Sequence, residues 1–170
     1  MDIRAEQPGD AQGIFELTER AFAPMAYSDG SEAPLVAKLR ETGDLTLSLV
    51  AVAAGRLLGH VAFSPVRIAG EHLDAAGGGW FGLGPISVEP SLQRRGGGSA
   101  LVRAGLSHLH ENGAAGCALI GDPVYYGRFG FVSDGGLQYG DLPLHLVQWL
   151  AFRGAKPRGR LAFAAAFDDG

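Results

Sequence analysis

Cysteine is nearly missing: Cys117 is the only one in 170 residues. That excludes an internal disulfide and points to a reducing compartment. No apolar run approaches the roughly 20 residues that a membrane-spanning helix needs. The start Met1-Asp2-Ile3-Arg4 mixes charges and lacks the apolar stretch of a secretory signal, so the cytoplasm is the expected location, with no membrane partner. Positive charge is scarce too. Fourteen Lys and Arg against 18 Asp and Glu leave a net charge of −4, which argues against nucleic acid as a partner. Five histidines (His60, His72, His108, His110, His145) show no metal-ligand spacing, and His108 and His110 fall on different helix faces. No metal is expected.

What remains is ordinary globular material, 46% apolar and 19% charged. The length fits one domain, 1–170, able to bury about 70% of its unfolded surface. Its 27 glycines follow no repeating period. Asp2 to Glu6 reads as a first strand. Asp10 is placed to cap a helix running to Phe22, with Ile14, Leu17 and Ala21 on its apolar face. A second helix opens at Ser31-Glu32-Ala33-Pro34 and closes at Gly43. Leu45–Ala54 and Leu57–Ile68 form a hairpin about Ala54-Gly55-Arg56, with an edge or bulge at Pro65. A Gly/Ala-rich loop over 69–79 leads to a strand at Trp80–Val88. A helix from Ser99 to Asn112-Gly113 and a buried strand over 116–121 follow. Two closing strands, Leu146–Phe152 and Arg160–Phe167, form a C-terminal hairpin. The order βααβββαβαββ gives a single-domain α/β fold, a mixed central sheet flanked by helices.

The stretch Leu83–Leu101 organises the rest. The β-prone run Ile86-Ser87-Val88 is stopped by Pro90. Gln93-Arg94-Arg95-Gly96-Gly97-Gly98 then leads into the helix at Ser99. Three glycines ahead of a helix leave backbone N–H groups free to turn towards one point, where the helix end adds about half a positive charge. Arg94 and Arg95 stand beside that point. Such a cradle suits a phosphate or pyrophosphate. It lacks the Lys of a P-loop, and Cys117-Ala118-Leu119-Ile120 downstream lacks the acidic residue of a dinucleotide fingerprint.

Gln93–Gly98 resembles the Gln/Arg-x-x-Gly-x-Gly/Ala acetyl-CoA signature of the GNAT N-acetyltransferase superfamily, and Gly84-Pro85-Ile86-Ser87-Val88 resembles its central fourth strand. Asp122-Pro123-Val124-Tyr125-Tyr126-Gly127-Arg128-Phe129-Gly130-Phe131 is similar to the ending of a branch of small bacterial predicted acetyltransferases. The resemblance covers nearly the whole chain. Gly97 departs from it, since members often carry a branched apolar residue there; a glycine costs up to about 1 kcal/mol of helix propensity.

The resemblance implies acetyl-CoA as cosubstrate and direct attack by an amine in a ternary complex. Ile86, Ser87 and Val88 would pair with the pantetheine amides, as an added strand does. An N–H near Val88 would hold the thioester oxygen. Gln93, Arg94, Arg95, Gly96, Gly97, Gly98 and Ser99 would hold the pyrophosphate, and Tyr125 would pack beside the pantetheine arm. Tyr126 would protonate the departing thiolate; a tyrosine with pKa near 10 carries its proton at neutral pH. Asp122 reads as a helix cap with Pro123 at the first position. Arg128 reads as a solvated helix-end cation, with a contact to the cofactor's phosphates as the alternative, and Cys117 as a small buried hydrophobe rather than a nucleophile. Asp29, Glu32 and Glu89 are the general-base candidates, Glu89 first because it follows the central strand and Glu32 second. The acceptor is a small-molecule or peptide amine of unspecified identity, and exposed strand edges permit a homodimer. A non-catalytic CoA-binding module and an acyltransferase using another acyl-CoA stand as alternatives.

Overall fold

The computed structural model describes residues 1–70 and 79–169. Most of the loop expected over 69–79 lies outside them. The elements in order are β1 (Asp2–Ala5), α1 (Ala11–Phe22), α2 (Glu32–Thr42), β2 (Leu47–Ala53), β3 (Arg56–Pro65), β4 (Arg67–Ala69), β5 (Trp80–Val88), α3 (Gly97–Glu111), β6 (Gly116–Ile120), α4 (Pro123–Tyr126), β7 (Leu137–Gln138), β8 (Val147–Ala151) and β9 (Gly159–Ala162). This is a mixed α/β fold with a mostly antiparallel sheet flanked by helices. The chain forms two compact units, one of 1–64, 84–105 and 165–170, the other of 65–83 and 106–164.

In the first unit β1 and β2 are antiparallel, with Asp2 opposite Val52 and Ala5 opposite Leu49. β2 and β3 are a hairpin whose two-residue turn uses positive φ at Ala54 (49°) and Gly55 (75°), the twist that a tight hairpin needs. Alternation along β2 sorts the layers. Val50 packs with Ile14 of α1 and Val36 of α2 on one face. Ala51 looks to the other face, where Gly59 lies against Leu101 of α3. A Cβ on Gly59 would come 2.8 Å from Leu101, so the glycine sets the approach of α3. Gly43 ends α2 in the left-handed conformation at φ 82°, as a helix-terminal glycine does.

In the second unit β5 runs parallel to β6 over Trp80–Gly82, and β6 runs antiparallel to β8 over five residue pairs. A small sheet places β9 between β4 and β7. Trp80, Val66, Ile68, Leu137, Trp149 and Leu161 share its core. The Trp149 indole donates to Asp134 at 3.0 Å.

Four details depart from the sequence expectations. The return strand breaks at Pro65, which has no N–H for a ladder, and resumes as β4 in another sheet. The C-terminal strands are not a hairpin: β8 pairs with β6, while β9 pairs with β4 and β7. β8 matches the expected strand closely, but of Arg160–Phe167 only the stretch to Ala162 is strand, 165–169 forming a short 3-10 turn; the partners of both strands are set by packing far along the chain, and the two-residue β7 carries no pattern of its own. Asp10 does not cap α1 through its side chain. Instead it accepts from Arg4 and from the Gln7 N–H, both at 2.7 Å. Helix α3 begins at Gly97, two residues before Ser99.

Candidate active site

In the first unit the loop 93–96 turns sharply between β5 and α3. Arg94 (φ 67°) and Gly96 (φ 88°) both adopt the left-handed region. Left-handed residues in such a turn bend successive N–H groups into a concave nest. Gly97 and Gly98 follow as the first α3 residues, whose N–H groups have no acceptor within the helix. The Gly96 carbonyl already accepts from Ala100 at 3.0 Å. Arg94, Arg95 and Gly96 are exposed. The loop is braced to the strand by Gln93, whose side-chain amide donates to the Val88 carbonyl at 3.2 Å. Beside Gly97 opens a groove of about 230 Å³, walled by Met1, Ala51, Leu58, Val88, Leu92 and Arg95. A Cβ on Gly97 would sit 3.5 Å from the Met1 methyl and 4.0 Å from Val88, in ordinary contact.

Ile86 and Val88 are half-buried, whereas Ser87 is 1% exposed and its hydroxyl lies 3.4 Å from that of Thr18 on α1. Glu89 is engaged by Arg20, at 2.8 Å through one guanidinium nitrogen and 3.4 Å through another. That hydrogen-bonded cation holds the Glu89 carboxyl below the usual carboxylate range. A carboxylate so stabilised as the anion is a weaker base. Asp29 accepts from the Ser31 N–H at 3.0 Å and serves the turn entering α2. Glu32, in the first turn of α2, is half-buried and accepts from the Ser28 hydroxyl. It borders a cavity of about 310 Å³ between α1 and α2, which Thr18, Glu19 and Phe22 also line. Of the three carboxylates, Glu32 alone lines this cavity, and among the described residues no cation pairs with it.

The second unit holds both tyrosines. Asp122 caps α4 through its side chain, which accepts from the Val124 N–H at 2.9 Å, with Pro123 at the first helical position. The capped turn presents Tyr125 and Tyr126 edge to face, ring centres 4.9 Å apart. Tyr126 is held further by Phe131, centre to centre 6.1 Å, and by Gly121. A Cβ at 121 would stand 2.6 Å from the Tyr126 ring. Arg128 donates to the Tyr125 carbonyl at 2.9 Å and lies over its ring at 4.4 Å, so it acts at the helix end. Cys117 is fully buried, and burial pushes its thiol far up, away from nucleophilic use. Among the described residues no group of His, Cys, Asp and Glu gathers to hold a metal, and no helix is long and apolar enough to cross a membrane.

The sequence reasoning passed over a buried polar chain. His60 Nε2 meets the Ser48 hydroxyl at 2.8 Å, Ser48 donates to Glu6 at 2.6 Å, and Arg40 grips Glu6 at 2.8 and 2.9 Å. Burial works to raise the Glu6 pKa, but the hydrogen bonds from Arg40 and Ser48 prevail and hold it low. Since Ser48 spends its proton on Glu6, the His60 Nε2 must be the donor, leaving Nδ1 bare; that atom is buried without a partner among the described residues. Burial lowers the His60 pKa to about 4. The available signal was Ser48 and His60 as polar residues inside otherwise apolar strands.

A model of the acetyltransferase (GNAT) domain matches residues 2–133. An Escherichia coli K12 protein named "Uncharacterized N-acetyltransferase YhbS" is 44% identical over 132 residues, covering 77% of this chain and 73% of the relative. A GNAT family acetyltransferase from Brucella melitensis, solved in complex with acetyl-CoA, superposes with a TM-score of 0.85 at 47% identity, covering 98% of this chain and 97% of that one. YhbS from Escherichia coli, solved with CoA, also gives 0.85, at 34% identity, covering 98% and 91%.

Proposed function

The chain belongs to the GNAT acetyltransferase family, and from that premise we propose that it transfers the acetyl group of acetyl-CoA to a primary amine by direct attack, both substrates being bound together. The observation that carries this reading is the nest of Arg94, Gly96 and the first turn of α3, a concave set of donors beside two exposed arginines, which fits a pyrophosphate. Acetyl-CoA supplies an activated acyl carbon and a thiolate leaving group.

The residues of the chain divide the remaining work. Gln93 ties the loop to Val88, so the phosphate cradle and the strand end are held as one piece. Ile86 and Val88 offer backbone groups to the pantetheine amides, and an N–H near Val88 faces the oxygen that gains charge. An amine that arrives as an ammonium must first lose a proton. Its nitrogen then forms a bond to the acyl carbon while the carbon–sulfur bond breaks, and the nitrogen sheds a second proton to solvent, which replaces the one that Tyr126 gives to sulfur. Glu32 is the base in this reading, in preference to Glu89, because Arg20 already neutralises Glu89. Tyr126 gives its phenolic proton to the sulfur, and Tyr125 packs beside the arm. No nucleophile of the chain intervenes, since Cys117 is buried as the neutral thiol.

Initial-rate kinetics with both substrates varied test the order of events. Intersecting double-reciprocal lines are expected. Parallel lines, or an acetylated Cys117 by mass spectrometry, overturn direct attack. Glu32→Gln is expected to lower kcat more than Glu89→Gln, and the reverse ranking returns the base to Glu89.

A further inference from the structure

A fully buried glutamine is uncommon, and Gln148, in the second unit, is 0% exposed. On β8 its neighbours Val147 and Trp149 point into the core around Trp80. By strand alternation Gln148 faces the other side, in register with Leu119 of β6. There its side-chain amide donates to the Gly121 carbonyl at 2.9 Å, just past the end of β6. A carbonyl can only accept, so the amide nitrogen faces it. The amide oxygen is turned away, buried and without a partner among the described residues. Methionine or leucine would fill similar space without leaving that oxygen unpaired. The donated hydrogen bond is therefore what the glutamine supplies.

That hydrogen bond acts at the root of the tyrosine turn. The Gly121 N–H donates to the Leu146 carbonyl at 3.0 Å, so both backbone polar groups of Gly121 are held by residues 146 and 148. The next carbonyl, that of Asp122, accepts from the Tyr126 N–H at 3.0 Å, and the Asp122 side chain caps the same turn. The phenol ring rests on Gly121 itself: a Cβ there would stand 2.6 Å from it, so the ring lies on bare backbone. We propose that Gln148 is a positioning residue for Tyr126. By fixing the Gly121 carbonyl it sets the plane of the Gly121–Asp122 peptide, on which the ring rests and from which the turn starts, and so aims the phenol. The assignment rests on the acetyl-transfer reading above, in which Tyr126 protonates the sulfur.

Gln148→Met keeps the volume and removes the donor. Its kcat is expected to fall about tenfold, part of the roughly hundredfold that the phenol supplies, with the KM for acetyl-CoA unchanged. In a Tyr126→Phe background the same substitution should change kcat by less than about twofold, because the group it positions is gone. Where Tyr126→Phe lowers kcat, an unchanged kcat in Gln148→Met, or an equal loss in both backgrounds as a general packing defect gives, overturns the proposal. Circular dichroism and calorimetric CoA affinity check that the variant is folded. If Gln148→Met fails that check, Gln148→Asn, whose amide is one methylene short of Gly121, carries the same comparisons. Position is read apart from chemistry by fluorine NMR of protein made with 3-fluorotyrosine, whose four resonances are assigned by single Tyr→Phe changes. The Tyr126 resonance should shift and broaden in the Gln148 variant while those of Tyr27 and Tyr139 stay in place. A Tyr126 resonance untouched by the variant overturns the proposal. Full-rate turnover by Tyr126→Phe, with the fluorine shift present, refutes the acid role and leaves the positioning of the ring standing.

Discussion

Lowering the pH from 7 to 5 should destabilise this protein through one residue, His60. Its imidazole is 0% exposed, donates from Nε2 to Ser48, and among the described residues has no acceptor for a proton on Nδ1. Burial is the main penalty on the charged form; the nearby Glu6 carboxylate offsets part of it, and the Arg40 guanidinium adds a smaller repulsion. The folded-state pKa is about 4 against 6.5 for the free side chain. A depressed pKa means that the unfolded chain binds the proton first. Stability is therefore full above pH 6.5, falls as the pH drops below it, and levels off below 4. Each pH unit in that window costs about 1.4 kcal/mol, so the loss is about 2 kcal/mol at pH 5 and about 3 kcal/mol at pH 4. A typical domain has only about 5–15 kcal/mol to lose. The carboxylates Glu6, Asp10, Asp29, Glu89 and Asp134 are depressed below their ordinary values, 4.5 for glutamate and 3.8 for aspartate, so their contribution is lost chiefly below about pH 4.5, under the 6.5–5 range in which the slope is compared. Urea unfolding at half-unit steps from pH 7 to 4.5 gives the slope directly. His60→Gln keeps a donor for Ser48 and removes the titration; whatever its absolute stability, its slope between pH 6.5 and 5 should flatten. A wild-type stability that is constant over that range, or a slope that survives in His60→Gln, would show that the buried imidazole is not the sensor.

Gly96→Leu forces a branched residue into a φ of 88° and should weaken CoA binding at least tenfold by calorimetry; unchanged affinity removes the nest from the binding site. Gly97→Val adds a side chain facing Met1 and Val88 at contact distance, so it should raise the melting temperature by a few degrees, the equivalent of about 1 kcal/mol, and a lower value would mean that the groove beside it does not accept a side chain. Tyr126→Phe should lower kcat on the order of a hundredfold with CoA affinity nearly intact, because a thiolate is a tolerable leaving group even unprotonated. Tyr125→Phe should do much less, and the opposite ranking exchanges the two roles. Gly121→Ala places a methyl against the Tyr126 ring and should reduce kcat without altering the residues of the phosphate loop.

Where punctuation was local, the chain was legible. Trp80–Val88 was read to the residue because a glycine precedes it and Glu89-Pro90 follows. Asp122-Pro123 announced the turn that carries the tyrosines, and Gly43 the end of α2. Pairing between distant residues was not legible. The Arg20–Glu89 ion pair joins positions 69 apart and is the ground for the base proposed above, yet neither residue looks unusual in its own neighbourhood. The chain of His60, Ser48, Glu6 and Arg40 draws on two strand positions, the residue that follows β1 and a helix, and no single window contains it. The left-handed Arg94 was equally hidden, since the residue type gives no warning of a positive φ. The C-terminal strands show the same limit: an apolar alternation names a strand without naming its neighbour.

The first unit is assembled from three separate stretches of chain, the last being 165–170, where Ala166 is 6% exposed. During synthesis, β1, α1, α2, β2 and β3 leave the ribosome early, but this unit cannot close until the second has been made and residues 165–169 have followed it. Its early apolar faces must therefore wait, through about a hundred residues of further translation at 5–20 residues per second, for their last covering. A nascent chain stalled before residue 165 should stay accessible to proteases in β1–β3 and should attract holding chaperones, while the released chain should not.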